Sequence, residues 1–119
     1  MTDIADLLRR NLFEVFDEAD PVKRAAAIAA LYVDEPVTAD PHGETTGRAA
    51  LSASVGKLHE RFPQSRFTQL GEPEAHHNVG RIAWGHGAPG VPPTTIGLDV
   101  IVVEDGRIAR LYTFLDPRK

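Results

Sequence analysis

The sequence predicts an α+β fold. Apolar residues recur at helical spacing through the first half, period-two alternation takes over in the second, and Gly- or Pro-marked turns separate the segments. Helices first and an antiparallel meander afterwards is the order expected of that class. At 119 residues with 42% hydrophobic content, the chain reads as a single domain over residues 1–119, with enough apolar side chain for one packed core.

Ile4, Leu7, Leu8, Leu12, Val15 and Phe16 share one face of a first helix, which Asp3 is placed to cap. Asp20-Pro21 marks a second start, because proline at the first helical position gives up no hydrogen bond. Ala25, Ile28, Leu31 and Tyr32 form the expected buried stripe of this second helix. Pro36 to Ala39 reads as a short edge strand, since proline cannot donate to a ladder, and Asp40-Pro41-His42-Gly43 as a turn. A third helix after Gly47 carries Leu51, Val55, Leu58 and Phe62 and stops at Pro63. Residues 66–70, 75–86, 95–103 and 107–115 read as strands, with Glu104-Asp105-Gly106 a hairpin turn before the last. The Gly- and Pro-rich segment 87–93 is expected to be a loop at a pocket rim.

Composition excludes several function classes. The formal net charge is −4, and scattered Lys and Arg give no cationic footprint for nucleic acid. There is no cysteine, so disulfides, thiolate nucleophiles and thiolate metal sites are absent, as suits a reducing compartment. No leader pattern and no apolar run of membrane-spanning length occur, so a cytoplasmic protein without membrane partners is expected. His76 and His77 are neighbours on an expected strand, where they would face opposite ways, and no chelating His spacing occurs elsewhere. Neither a metal nor another cofactor is expected. Ser52 and Ser54 lack a nucleophile elbow, and no helix follows Gly85, Gly87 and Gly90 to make a phosphate loop.

Several local patterns, in this order, resemble a known superfamily. They are Leu31-Tyr32-Val33-Asp34-Glu35, Asp40-Pro41-His42-Gly43 followed by Gly47-Arg48, His77-Asn78, Leu98-Asp99-Val100-Ile101, and Asp105-Gly106-Arg107-Ile108. Together they resemble the nuclear transport factor 2-like superfamily, which includes the ketosteroid isomerases and the SnoaL-like polyketide cyclases. The resemblance implies three N-terminal helices on a strongly curved mixed or antiparallel sheet, forming a cone-shaped open barrel around an apolar cavity. It also implies a small hydrophobic ligand and a homodimer through the outer sheet face, for which Ile101, Val103, Tyr112 and Phe114 alternate suitably.

Position by position, the isomerase base falls on Asp40, where burial in an apolar cavity would raise the carboxylate's basicity. The isomerase oxyanion donors have no counterpart: they fall near Leu12 and on Val102, a supporting tyrosine falls near Val55, and only Tyr32 persists. For Asp40 a simple turn role stays open beside the catalytic one. Leu12, Phe16, Tyr32, Val55, Val100, Val102, Leu111 and Leu115 are expected as core or pocket wall. If Val100 and Val102 face the pocket, alternation places Asp99 on the outer face or a subunit interface, unless a bulge reverses it. Trp84 and His86 are either interface residues, the alignment's preference, or ligand-binding pocket lining in the other register. Three functions are compatible with this pattern: a metal-free isomerase- or cyclase-like enzyme acting through Asp40 on a polyketide-, steroid- or terpenoid-like substrate, a non-catalytic carrier of a hydrophobic ligand, and a dimeric interaction module with a filled, vestigial pocket. Epoxide hydrolysis ranks last, for want of an Asp-Arg-Asp set.

Overall fold

A computed structural model of the chain describes residues 3–116. Helix α1 (Ile4–Arg10) starts where expected, with Asp3 Oδ1 accepting from the Ala5 and Asp6 amides at 3.0 and 3.4 Å. It then widens into a π-helical segment (Asn11–Phe16), closed by the Asp17 amide bonding the Leu12 carbonyl five residues back. Asn11, Leu12 and Val15 of this segment are all buried.

Helix α2 (Pro21–Leu31) is capped by Asp20, whose Oδ1 accepts from the Val22 amide at 2.9 Å. Its buried stripe is Arg24, Ile28 and Leu31, and the expected Ala25 is exposed. Residues 24, 28 and 31 stand four and three apart on one face, and position 25 is about a quarter of a turn away. The Arg24 guanidinium is held by Ser52 Oγ and the Glu18 carbonyl, at 3.1 and 2.7 Å.

Strand β1 (Tyr32–Asp40) leaves α2 directly and is longer than expected. It is also not an edge, since it lies between β2 (Gly43–Thr46) and the last strand. Pro36 is accommodated because the β1 register shifts between Tyr32 and Val37, where a missing donor breaks no ladder bond. Four polar-to-neutral residues gave β2 no apolar alternation to reveal it. Helix α3 (Arg48–Arg61) follows Gly47, whose φ of 103° favours glycine. Then come β3 (Arg66–Gln69), β4 (Glu74–His76), β5 (Val79–Gly87), β6 (Thr95–Glu104) and β7 (Arg107–Leu115). The strand expected over 75–86 is thus two, folded into a hairpin at His77, whose φ is 54°.

The strands make one sheet in the order β2-β1-β7-β6-β5-β3, with β4 also on β5. It is mixed, because β1 and β7 run parallel while the other pairs are antiparallel, and it is not closed. The core packs Leu7, Leu8, Val15, Ile28 and Leu31 from the helices against Ile82, Ile101, Ile108 and Leu111 of the sheet.

One irregularity decides which side chains face inward. A two-residue hairpin at Asp105-Gly106, continued without interruption, would set Val100 opposite Leu111. Instead β7 carries one extra residue, Ala109, because Val103 pairs with Ile108 and Val102 with Arg110. This bulge sets Ile101 opposite Leu111 and Asp99 opposite Thr113. The β6 parity is therefore the reverse of the expected one. Asp99 and Ile101 point inward, and Val100 and Val102 lie on the outer face.

Candidate functional site

Between α3, the π segment and the inner face of the sheet lies a cavity of about 680 Å³, within the usual range for small-molecule sites. Leu12, Val55 and Val102 do not pack together to fill it, the arrangement that would favour an interaction module with a vestigial pocket. Leu12 and Val55 are core residues behind the wall, and Val102 is on the outer face. Tyr32 is likewise core rather than wall: it is fully buried, and its hydroxyl donates to Asn11 Oδ1. Burial and the nearby Asp99 carboxylate push the Tyr32 phenol well above its ordinary range. Of the residues expected to touch a ligand, Phe16, Trp84, His86, Leu111 and Leu115 line the cavity. Val100 joins Val102 on the outer side of the sheet.

Asp40 is at the cavity mouth but is exposed, so the expectation of a carboxylate withdrawn from water is not met there. Its Oδ1 accepts from the His42 and Gly43 amides at 2.7 and 3.1 Å, and so holds the β1–β2 turn.

The buried carboxylate is Asp99, only 3% exposed. Both of its protein hydrogen bonds fall on one oxygen: Trp84 Nε1 donates to Oδ1 at 2.9 Å and the Thr113 hydroxyl at 3.0 Å. No donor among the described residues reaches Oδ2, and Asp99 lines the cavity. Burial pushes its pKa from 3.8 up to about 6, partly offset by the bonds from Trp84 and Thr113. Gly97, opposite Trp84 on β6, makes this geometry possible. A Cβ there would lie 2.6 Å from indole Cε2, so only glycine lets the ring lie flat across the strand and aim its N–H at Asp99.

An aromatic wall leads away from Asp99. Trp84 meets Phe67 edge-on with centroids 5.3 Å apart, Phe67 stacks on His86 at 4.4 Å, and His86 meets Phe62 at 5.8 Å. Desolvation lowers the His86 pKa, favouring a neutral imidazole, with Asp17 opposing and His59 adding to the shift. His86 is four residues along β5 from Ile82, the cross-strand partner of Asp99. That is about 13 Å along the strand, so imidazole and carboxylate sit towards opposite ends of the cavity. Asp17 anchors the wall from behind, accepting from the Phe67 amide at 2.9 Å and pairing with Arg66.

No group of three or more potential metal-binding side chains occurs among the described residues. His76 and His77 do not diverge as a continuous strand would require. The turn at His77 brings their Nδ1 atoms within 3.0 Å. No helix among the described residues is long and apolar enough to cross a membrane.

The sequence profile of the SnoaL-like domain matches residues 10–111, most of the chain. The chain belongs to the SnoaL-like family. Among solved structures, this SnoaL-like chain superposes on a candidate isomerase of the family from Agrobacterium tumefaciens with a TM-score of 0.87 and 25% identity, over 93% of this chain and 95% of that one. A candidate polyketide cyclase from Streptomyces antibioticus matches with a TM-score of 0.71 and 20% identity, over 93% and 90% of the two chains. A candidate ketosteroid isomerase from Kribbella flavida gives 0.70 and 16%, over 94% and 76%. No curated protein matches the chain significantly.

Proposed function

We propose that this SnoaL-like protein is an acid/base enzyme that moves a proton to or from carbon in a small, largely apolar carbonyl compound of polyketide type, with Asp99 carrying the proton. One observation supports this above others: the cavity holds a deeply buried carboxylate with one oxygen fixed by two donors and the other left for a ligand. A carboxyl group with a pKa near 6 is a stronger base than a solvated aspartate and is still ionised at neutral pH. The names of the Agrobacterium and Streptomyces neighbours point to the same chemistry. The Trp84 and Thr113 donors are occupied with Asp99 itself. The wall therefore suits a carbon acid whose anion is spread over two carbonyls and needs less stabilisation than a simple enolate.

The test is deuterium exchange into the central carbon of aromatic 1,3-diketones, followed by NMR. Wild-type protein should accelerate exchange, with a rate that rises with pH through about 6 as Asp99 ionises. Asp99→Asn should lose about a hundredfold or more, while Asp40→Asn should stay close to wild type. Full activity in Asp99→Asn, or its loss in Asp40→Asn alone, refutes the assignment. Binding without exchange by wild type would favour a carrier role for the same cavity.

We also propose that the outer sheet face mediates a homodimer. Leu98, Val100 and Val102 of β6 share that face with Tyr112 and Phe114 of β7, and Phe114 is 59% exposed. An apolar strip of that kind favours association. Ile101, expected on this face, is fully buried in the core, and Val103 packs against it.

A further inference from the structure

We propose that Lys57 and Arg61 form an anion-binding subsite at the cavity mouth, so that the substrate is a planar aromatic compound bearing a carboxylate at the end opposite its acidic carbon. This rests on the cavity being the substrate site and names the class of molecule it takes.

Lys57 and Arg61 stand four apart on α3, on the face that also brings Ser54 and Leu58 to the cavity. Neither is in an ion pair or a hydrogen bond among the described residues, and Arg61 lies 5.2 Å from the Phe62 ring centroid. Five other arginines of this acidic chain are paired, Arg9 with Glu72, Arg10 with Glu14, Arg48 with Asp34, Arg66 with Asp17 and Arg81 with Glu74. Two cations without an anionic partner among the described residues, beside a hydrophobic cavity, suit an anionic group.

The opposite wall carries negative charge. Asp40 and Glu44 line the mouth from the β1–β2 hairpin, and neither pairs with Lys57 or Arg61. An anion is drawn to the α3 side and repelled from the hairpin side, which orients the molecule as well as holding it.

The aromatic wall joins the two ends. From Arg61 the contacts run through Phe62, His86, Phe67 and Trp84, whose indole N–H reaches Asp99. Fused or linked rings laid along that ladder would place a carboxylate beside Arg61 and a carbon near Asp99 Oδ2.

Calorimetric titration with 2-naphthoate and with its methyl ester separates charge from ring shape. Wild-type protein should bind the acid about tenfold more tightly than the ester at low ionic strength, and added salt should shrink the ratio. The Lys57→Gln/Arg61→Gln double variant should bind both equally. Both positions are exposed, so folding is not at stake. Asp99→Asn should keep the preference, so a failure of the proton-transfer reading and a failure of the anion subsite give different results. Equal binding of acid and ester by wild type, an unchanged ratio in the double variant, or no binding of either compound overturns the proposal.

Discussion

Replacing Asp99 by Asn should make the protein more stable at neutral pH, by an amount that follows from the carboxyl group's environment. Burial raises its pKa from 3.8 to about 6. At roughly 1.4 kcal/mol per tenfold change in proton affinity, the ionised side chain costs the folded state about 3 kcal/mol. Below pH 3.8 folded and unfolded chains both hold the proton, and the cost vanishes. Between 3.8 and about 6 the folded chain holds it more tightly, so stability falls as pH rises, and above that range the loss is complete. Asparagine keeps an Oδ1 that can accept from Trp84 and Thr113 but carries no charge. Urea unfolding, followed by the fluorescence of the single tryptophan, should therefore show Asp99→Asn about 3 kcal/mol more stable than wild type around pH 8, with the two converging around pH 3.5. A gain of that size is a large share of a small domain's stability. It is also what a group retained for chemistry at the expense of stability should show. A variant less stable than wild type around pH 8, or a difference independent of pH, would refute the reasoning.

Two further outcomes follow from the same geometry. Gly97→Ala drives a Cβ into the Trp84 ring and should destabilise the fold by about 1–3 kcal/mol, as overpacking does, with a changed near-ultraviolet circular dichroism signal from the displaced indole. Val100→Glu on the outer face should convert a sedimenting dimer to monomer while leaving exchange activity in place, and a monomeric wild type at micromolar concentration would remove the dimer proposal.

The helices were legible because their signals are local. Asp3 and Asp20 sit at helix starts whose amides they cap, and Pro63 follows the end of α3. The last strand is legible too, since the Asp105-Gly106 turn marks its start and the mostly apolar segment Arg107–Leu115 follows. Inside those elements the reading weakened wherever a polar residue was buried. Arg24 occupies the inner face of α2 because Ser52 and the Glu18 carbonyl satisfy its guanidinium, and neither partner can be identified from the α2 sequence. The buried carboxylate escapes the sequence for a related reason. Asp40 has the turn chemistry that any Asp-Pro pair suggests, and the structure gives it that role at an exposed position. The family resemblance sets Val102 in the pocket, and alternation along β6 then turns Asp99 outward unless a bulge intervenes. Pairing Thr113 with Asp99 was the missing signal, and it depends on Ala109.

What the sequence determined by itself is therefore the three helices, the order of the apolar strands and the α+β class, because capping, turn chemistry and apolar periodicity act over a few neighbouring residues. Which carboxylate is taken out of water was decided only by tertiary structure. A strand's side chains alternate in and out, so one extra residue in β7 exchanges the two faces of β6 relative to an uninterrupted hairpin, and that exchange places Asp99 beneath Trp84 in the cavity.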